Sequence, residues 1–485
     1  MFKHIDNSYA RLPEAFYRPC VPTPVAEPQW LAFNEALAAP LGMLPGTGTE
    51  ALQVFAGNQV PDWATPIATA YAGHQFGHFV PQLGDGRAIL LAEVLDTEGR
   101  RRDVQLKGAG RTPFSRSGDG RSPIGPVIRE YLVSEAMHAL GVPTTRALAA
   151  VVTGEPVYRE YPLPGAVLTR VASSHIRVGT FQYFAARGDT DSLRQLVDHT
   201  IDRHYPEARE TDNPVLSLLE QVALRQAALV ARWMGLGFIH GVMNTDNTAI
   251  TGETIDYGPC AFMEGFQPDK VYSSIDSHGR YAYDNQPKLI RWNLARFAET
   301  LLPLLSDDSQ QALAMATEII DAFPNAYQQA WLSVMTAKLG LTEVYPEDEA
   351  LINDFLALLA QERIDFTEAF RRLVYALVDA DSPEGPVALF RHSAGWQAWA
   401  QRWLQRLAPE QEGARARMQA TNPQVIPRNH RIEQAITQAS ETGQLDDFQR
   451  LQRILRQPFD VTPEDLQWLA PAQPHEQVVR TFCGT

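Results

Sequence analysis

The chain has 485 residues, 45% hydrophobic and 20% charged, with 42 Lys+Arg against 57 Asp+Glu and a formal net charge of −15. This composition excludes a largely disordered chain, and the acidic balance argues against a nucleic-acid or anionic-membrane surface. No run of about 18 apolar residues could span a bilayer, and the start MFKHIDNSYARLPEAFY lacks an apolar signal core, so a cytoplasmic protein is expected.

In chain order, residues 1–65 form a Pro-rich extension with a helical pattern near PQWLAFNEALAAPLG. Over 66–180 short β-type runs dominate: RAILLAEVL, DVQLKG, LAAVVTG and GAVLTRV, bounded by Gly, Pro and Asp turn signals. One helix is embedded among them, IGPVIREYLVSEAMHALG, with apolar residues at helical spacing. A helical lobe over 181–330 includes VLSLLEQVALRQAALVARWMGLG, and 331–485 is a helical C-terminal extension. The expected class is α+β, a β-rich lobe followed by a helical lobe. Trp396, Trp399 and Trp403 form a stripe at helical spacing, which reads as core packing.

Charge is uneven. Between Arg100 and Arg129 eight basic residues face only Asp103 and Asp119, a segment of +6 that also holds Gly108, Gly110, Gly118, Gly120 and Gly125. Glycines let backbone N–H groups approach an anion and cations neutralise it, so the segment suits a phosphate site; a solvated basic loop is the plainer alternative.

Three motifs carry chemistry. Gly84-Asp85-Gly86 allows a tight hairpin that can lay N–H groups over phosphates, or a plain structural turn. Lys107 ends the DVQLK strand, and Glu130 follows 23 residues later on the embedded helix; a strand Lys held by a helix Glu positions phosphates in protein kinases, although a strand-end Lys also snorkels to solvent. In HGVMNTDNTAITGETIDYGP, a short β-like run TAI separates Asn247 from Asp256, nine residues apart, so a hairpin could bring two oxygens onto one hard cation. Counting the kinase catalytic loop from His240 places its Asn at Asn247 but its Asp at Val242, which cannot accept a proton. Asp246 is the nearest carboxylate. His74 and His78 in HQFGH have the i,i+4 spacing of a helical metal pair, but Gln75 and Gly77 favour a loop-anchoring role.

The order of these motifs, with YAGHQFGHFVPQLGDGRAILLAEV, LKGAGRTPFSRSGDGRSPIGPVIREYL, GFIHGVMNTDNTAITGETIDYGPCAF and NPQVIPRNH, resembles the selenoprotein O family across nearly the whole chain. The resemblance implies a protein-kinase-like two-lobed fold and a protein adenylyltransferase that moves AMP from ATP to Ser, Thr or Tyr hydroxyls with Mg²⁺ or Mn²⁺. It assigns Lys107 and Glu130 as the phosphate-positioning pair, Asn247 and Asp256 as metal ligands, and Asp246 as proton acceptor. Gly84, Gly86, Arg87, Asp119, Gly120, Arg170, Arg177 and again Lys107 and Asp256 are expected to contact the nucleotide. Relatives with selenocysteine near the C-terminus suggest a reversible Cys260–Cys483 bridge here. A conventional kinase and an inactive ATP-binding scaffold are the alternatives.

Overall fold

The computed structural model describes residues 1–43 and 48–482. Its strands are β1 (Tyr17–Pro19), β2 (Gln29–Phe33), β3 (Ile67–Thr69), β4 (Gly73–Gln75), β5 (His78–Val80), β6 (Ala88–Leu95), β7 (Arg101–Lys107), β8 (Ser122–Pro123), β9 (Arg146–Tyr158), β10 (Pro162–Ala172), β11 (Phe238–Ile239) and β12 (Ala261–Phe262). Among the described residues eight of them form one sheet in the order β1-β3-β6-β7-β10-β9-β2, with β8 added to β10. Every pairing in it is antiparallel. The fold is α+β: this sheet, then a region that is almost entirely helical.

Strand alternation gives the sheet two different faces. On β7, Val104 and Leu106 are fully buried against Val54, Phe55 and other residues of the Thr49–Ala56 helix. Gln105 and Lys107 point the other way, toward the site. The Pro-rich N-terminal stretch is woven into this sheet, since β1 pairs with β3 at one edge and β2 with β9 at the other. The helical pattern expected over PQWLAFNEALAAPLG is thereby corrected. Its first half is strand β2, and only Glu35–Ala38 is helical, capped by Asn34 accepting from Leu37 N. Trp30 and Phe33 of β2 pack on Phe55, and this long-range packing outweighs the local period.

The Ile124–Ala139 helix packs its apolar side against β9 and β10 through Ile128, Leu132, Ala150 and Leu168. Its outer side is covered by the C-terminal helices Asn429–Thr442 and Asp446–Leu455, where Phe448 meets Tyr131 edge-on at 5.6 Å. The C-terminal region therefore returns to brace the helix that bears Glu130.

In the helical region the Pro214–Leu236 helix is capped by Asn213 and ends at Gly237 in the left-handed conformation, φ 68°. Pro324 lies inside the continuous Ser309–Lys338 helix and offers no N–H to Ile320; the carbonyl of Ile320, four residues earlier, instead accepts Arg291 Nε at 3.0 Å. Trp396, Trp399 and Trp403 are buried as expected, each indole N–H donating to a backbone carbonyl. Among the described residues no helix is long and apolar enough to cross a membrane.

Candidate active site

Lys107 stands at the end of β7, paired in register with Ala88 of β6 and Leu168 of β10. Its Nζ lies 2.6 Å from Glu130 Oε2 on the embedded helix and 2.7 Å from Asp256 Oδ1. Arg170 of β10, opposite Gln105, donates to Gln105 Oε1 at 2.7 Å and reaches Asp256 Oδ1 at 2.7 Å and Glu130 Oε1 at 3.3 Å. Arg177 adds a third cation 3.6 Å from Asp256 Oδ2; it is buried, lies over the Tyr71 ring, and donates to the backbone carbonyl of Asp246 at 3.0 Å. Three cations thus surround two carboxylates. Burial pushes the Asp256 carboxyl up, but Lys107, Arg170 and Arg177 outweigh it and hold the group well below the usual carboxylate range.

Asp256 has φ 64°, a left-handed conformation uncommon for a non-glycine residue, and Gly258 N closes a tight turn onto its carbonyl at 2.9 Å. This kink turns the carboxylate back toward β7. Among the described residues the TAI run between Asn247 and Asp256 forms no hairpin strand; it makes the bridge Arg177↔Ala249. Asn247 closes a short 3₁₀ turn, Thr245–Asn247, and its Nδ2 donates to Val242 O at 3.0 Å. His240 is buried, bonded through its ring to Ile255 O and through its N–H to Gln286, so it supports the loop from inside.

Asp246 is 7% exposed. Gln75 Nε2 donates to its Oδ2 at 3.1 Å, while its buried Oδ1 meets no donor among the described residues. Burial pushes its pKa up to about 6, against the pull of the Gln75 bond and of Arg177.

Gly84-Asp85-Gly86 is an irregular approach to β6 rather than a hairpin between paired strands, so the plainer of the two readings describes its backbone. Asp85 is buried and accepts from Thr69 N–H and O–H and from Gln105, so it fastens this segment beside β3. Gly84 has φ 83°, and a Cβ there would stand 2.4 Å from the Phe114 ring. The glycine is needed because the 109–121 loop folds back over it, with Thr112 Oγ1 donating to Asp85 O. Within that loop Gly120 (φ 70°) passes Gly110 so closely that a Cβ would lie 2.0 Å from the Gly110 carbonyl oxygen. Asp119 sits on the rim, paired with Arg159 at 2.8 Å.

All of Gly84, Gly86, Arg87, Lys107, Asp119, Gly120, Arg170, Arg177, Asp246, Asn247 and Asp256 line one cavity of about 530 Å³. Glu130 stands directly behind Lys107. Tyr71, Gln75 and Arg159 line the cavity as well and were not picked out from the sequence as site residues. Tyr71 and Gln75 lie in the quoted YAGHQFGH motif, which was the available signal.

His74 and His78 are on opposite strands of the β4–β5 hairpin, not on a helix. His74 hydrogen-bonds Gln182 at 2.8 Å, and Gln182 in turn accepts from Thr245, a loop-anchoring role. The tail reaches the same region: Thr481 pairs with Ser273 and donates to Pro259 O, next to the buried Cys260. Cys483, and with it the expected bridge, lies outside the described residues.

Residues 2–456 match the family described as protein adenylyltransferase SelO. The chain is 56% identical over 484 residues to the protein nucleotidyltransferase YdiU of Rhizobium etli (strain CIAT 652), covering 99% of this chain and 97% of that one. It is 55% identical over 485 residues to the protein of the same name from Rhodopseudomonas palustris (strain HaA2), covering 99% of each. With a cavity that gathers these carboxylates and cations and a match over nearly its whole length, the chain belongs to the SelO family of protein adenylyltransferases.

Proposed function

We propose that the cavity binds ATP with its phosphates among Lys107, Arg170 and Arg177, and that the chain transfers AMP to Ser, Thr or Tyr hydroxyls of proteins with release of pyrophosphate. The observation that carries this reading is the division of labour between two carboxylates in one cavity. Asp256 is held ionised by three cations, while one oxygen of Asp246 meets no donor among the described residues.

Asn247 and Asp256 would hold a divalent cation, Mg²⁺ or Mn²⁺. The donors fit: the Asn247 amide nitrogen is used by Val242 O, which leaves its oxygen, and Asp256 offers a carboxylate. That ion would complete its shell with phosphate oxygens and water. Such an ion, when bound, neutralises phosphate charge.

The remaining chemistry falls to side chains. Lys107, Arg170 and Arg177 stabilise charge that grows on the phosphate oxygens and the leaving pyrophosphate; fixed cations in a partly desolvated site do this with little reorganisation. Asp246 accepts the proton of the incoming hydroxyl as its oxygen bonds to the α-phosphorus and the bond to pyrophosphate breaks. With a pKa near 6 the carboxylate is mostly ionised at neutral pH yet basic enough to take a proton. Gly84, Gly86, Arg87, Asp119 and Gly120 shape the wall against the rest of the nucleotide.

Removing divalent ions with EDTA, and Asp256→Ala, should each abolish transfer. Transfer that survives both would contradict the reading. The Cys260–Cys483 bridge is a further part of the proposal, supported by the docking of Thr481 beside Pro259. Thiol alkylation with and without reductant tests it; full labelling of both cysteines in the non-reduced protein would end it.

A further inference from the structure

The NPQVIPRNH motif takes no part in the cavity assigned to ATP. Arg428 is the N-cap of the Asn429–Thr442 helix, and Asn429 and His430 begin its first turn. Both line a second cavity, of about 290 Å³, together with Lys270 and Arg363. It shares no lining residue with the cavity of about 530 Å³ described above.

Two of these side chains are buried with polar atoms facing the cavity. His430 is 7% exposed; its Nδ1 lies 3.5 Å from Glu264 Oε1, and its Nε2 meets no hydrogen-bond partner among the described residues. Asn429 is 6% exposed; its Oδ1 accepts from Arg129 Nη1 at 3.2 Å, while its Nδ2 meets no acceptor among the described residues. Both nitrogens can donate, and a buried donor without an acceptor is costly. The two point to a ligand that brings acceptor oxygens.

The carboxylates nearby are engaged elsewhere. Arg428 reaches Asp365 Oδ2 at 2.8 Å and Glu264 Oε1 at 3.2 Å. Glu264 also accepts from Ala472 N at 3.2 Å, and Asp365 caps the Phe366–Ala376 helix through Glu368 N at 2.8 Å. Lys270 and Arg363 make no ion pair among the described residues; Lys270 Nζ lies over the Tyr272 ring, 4.7 Å from its centroid. Burial and the Arg363 charge pull the Lys270 pKa down against Asp269 and Glu264, so an anion set between the two cations relieves both effects. The helix contributes as well. Arg428 gives it no side-chain cap, and the free N–H groups and dipole of a helix start favour negative charge.

We propose that this cavity binds a phosphate group, free or as a small monoester, between Lys270, Arg363 and the first turn of the Asn429–Thr442 helix. Near neutral pH such a group carries about −1.5 to −2 charges and several strong acceptor oxygens, which matches two cations and two buried donors. The volume is at the small end of ligand pockets, in keeping with a ligand of that size.

The test is a calorimetric titration of the full chain with inorganic phosphate, with O-phosphoserine and acetate as comparison probes. Lys270→Met and Arg363→Gln each keep most of the side chain and remove one charge from a half-buried and an exposed position, so both variants should fold, which thermal unfolding checks. Each should weaken the binding of one phosphate per chain about 10- to 100-fold, the effect of one charge-assisted interaction. Lys107→Met, in the ATP cavity, should leave that binding step unchanged. Tighter binding of O-phosphoserine than of phosphate identifies a monoester as the ligand and the reverse order free phosphate; either result supports the site.

Absence of saturable phosphate binding to the parent chain would overturn the proposal. So would binding that Lys107→Met abolishes while Lys270→Met and Arg363→Gln leave it intact, which would put the phosphate in the ATP cavity. Acetate binding as tightly as phosphate would overturn the assignment to a phosphate group.

Discussion

Lys107 Nζ lies 2.7 Å from Asp256 Oδ1, joining the end of a sheet strand to a loop 149 residues further along the chain. The contact closes the cavity from behind and orders both groups before any ligand arrives. It also sets a requirement: a cation bound by Asp256 must share that carboxylate with Lys107, Arg170 and Arg177. Three positive side chains meet at these two carboxylates, and on the proposed reading they are the groups that receive the phosphates.

Removing Lys107 should therefore harm nucleotide handling more than folding. Lys107→Met leaves Glu130 and Asp256 with Arg170, at 3.3 Å and 2.7 Å, so neither carboxylate is stranded. The expected outcome is a fall of about 10- to 100-fold in kcat/KM for ATP, from one lost charge-assisted interaction. Steady-state transfer rates across an ATP titration check it.

Asp246→Asn should move stability and activity in opposite directions. Burial raises the Asp246 pKa from 3.8 to about 6, so the folded state holds a proton that the unfolded chain has released. Stability then falls as pH rises from about 4 to about 6 and stays lower above that range. At pH 7 the penalty is at most about 3 kcal/mol, at 1.36 kcal/mol per unit. The Asn variant should be more stable than the parent near pH 7, lose that advantage below about pH 4, and show little transfer. Denaturant unfolding at two pH values tests the sign.

Gly120→Ala should weaken ATP binding about tenfold or more, since φ 70° and a Cβ 2.0 Å from the Gly110 oxygen force the loop open. Gly99→Ala is the control. It has φ 76° but open space around the added carbon, so it should cost only about 1 kcal/mol of stability and leave ATP affinity unchanged. Calorimetry on both variants separates loop shape from backbone strain.

Phe448→Ala should cost about 3–5 kcal/mol, because the ring is fully buried against Tyr131. It also loosens the brace on the helix that carries Glu130, so ATP affinity should fall alongside Tm.

The gathering of Lys107, Glu130 and Asp256 was legible because each residue type is demanded by phosphate chemistry and sits at a recognisable strand, helix or loop position. The hairpin at Gly73–Val80 was not. Its turn residues, Phe76 and Gly77, lack the Asn-Gly or Asp-Gly signature of such turns, and the two histidines imitate a helical period. Strand β2 was hidden for another reason: PQWLAF becomes a strand through pairing with β9, a partner more than a hundred residues away that no local pattern names. The C-terminal region was visible as helical, but a helical pattern does not say what its helices cover, and their packing on the Glu130 helix had to be seen.

Adenylyl transfer moves the α-phosphate of ATP, whereas a kinase moves the γ-phosphate. Parallel reactions with Mg²⁺ or Mn²⁺ and ATP labelled at one or the other phosphate decide between them. Protein-bound label should come from the α-phosphate only, with pyrophosphate released in equal amount; label from the γ-phosphate alone would show a kinase reaction instead.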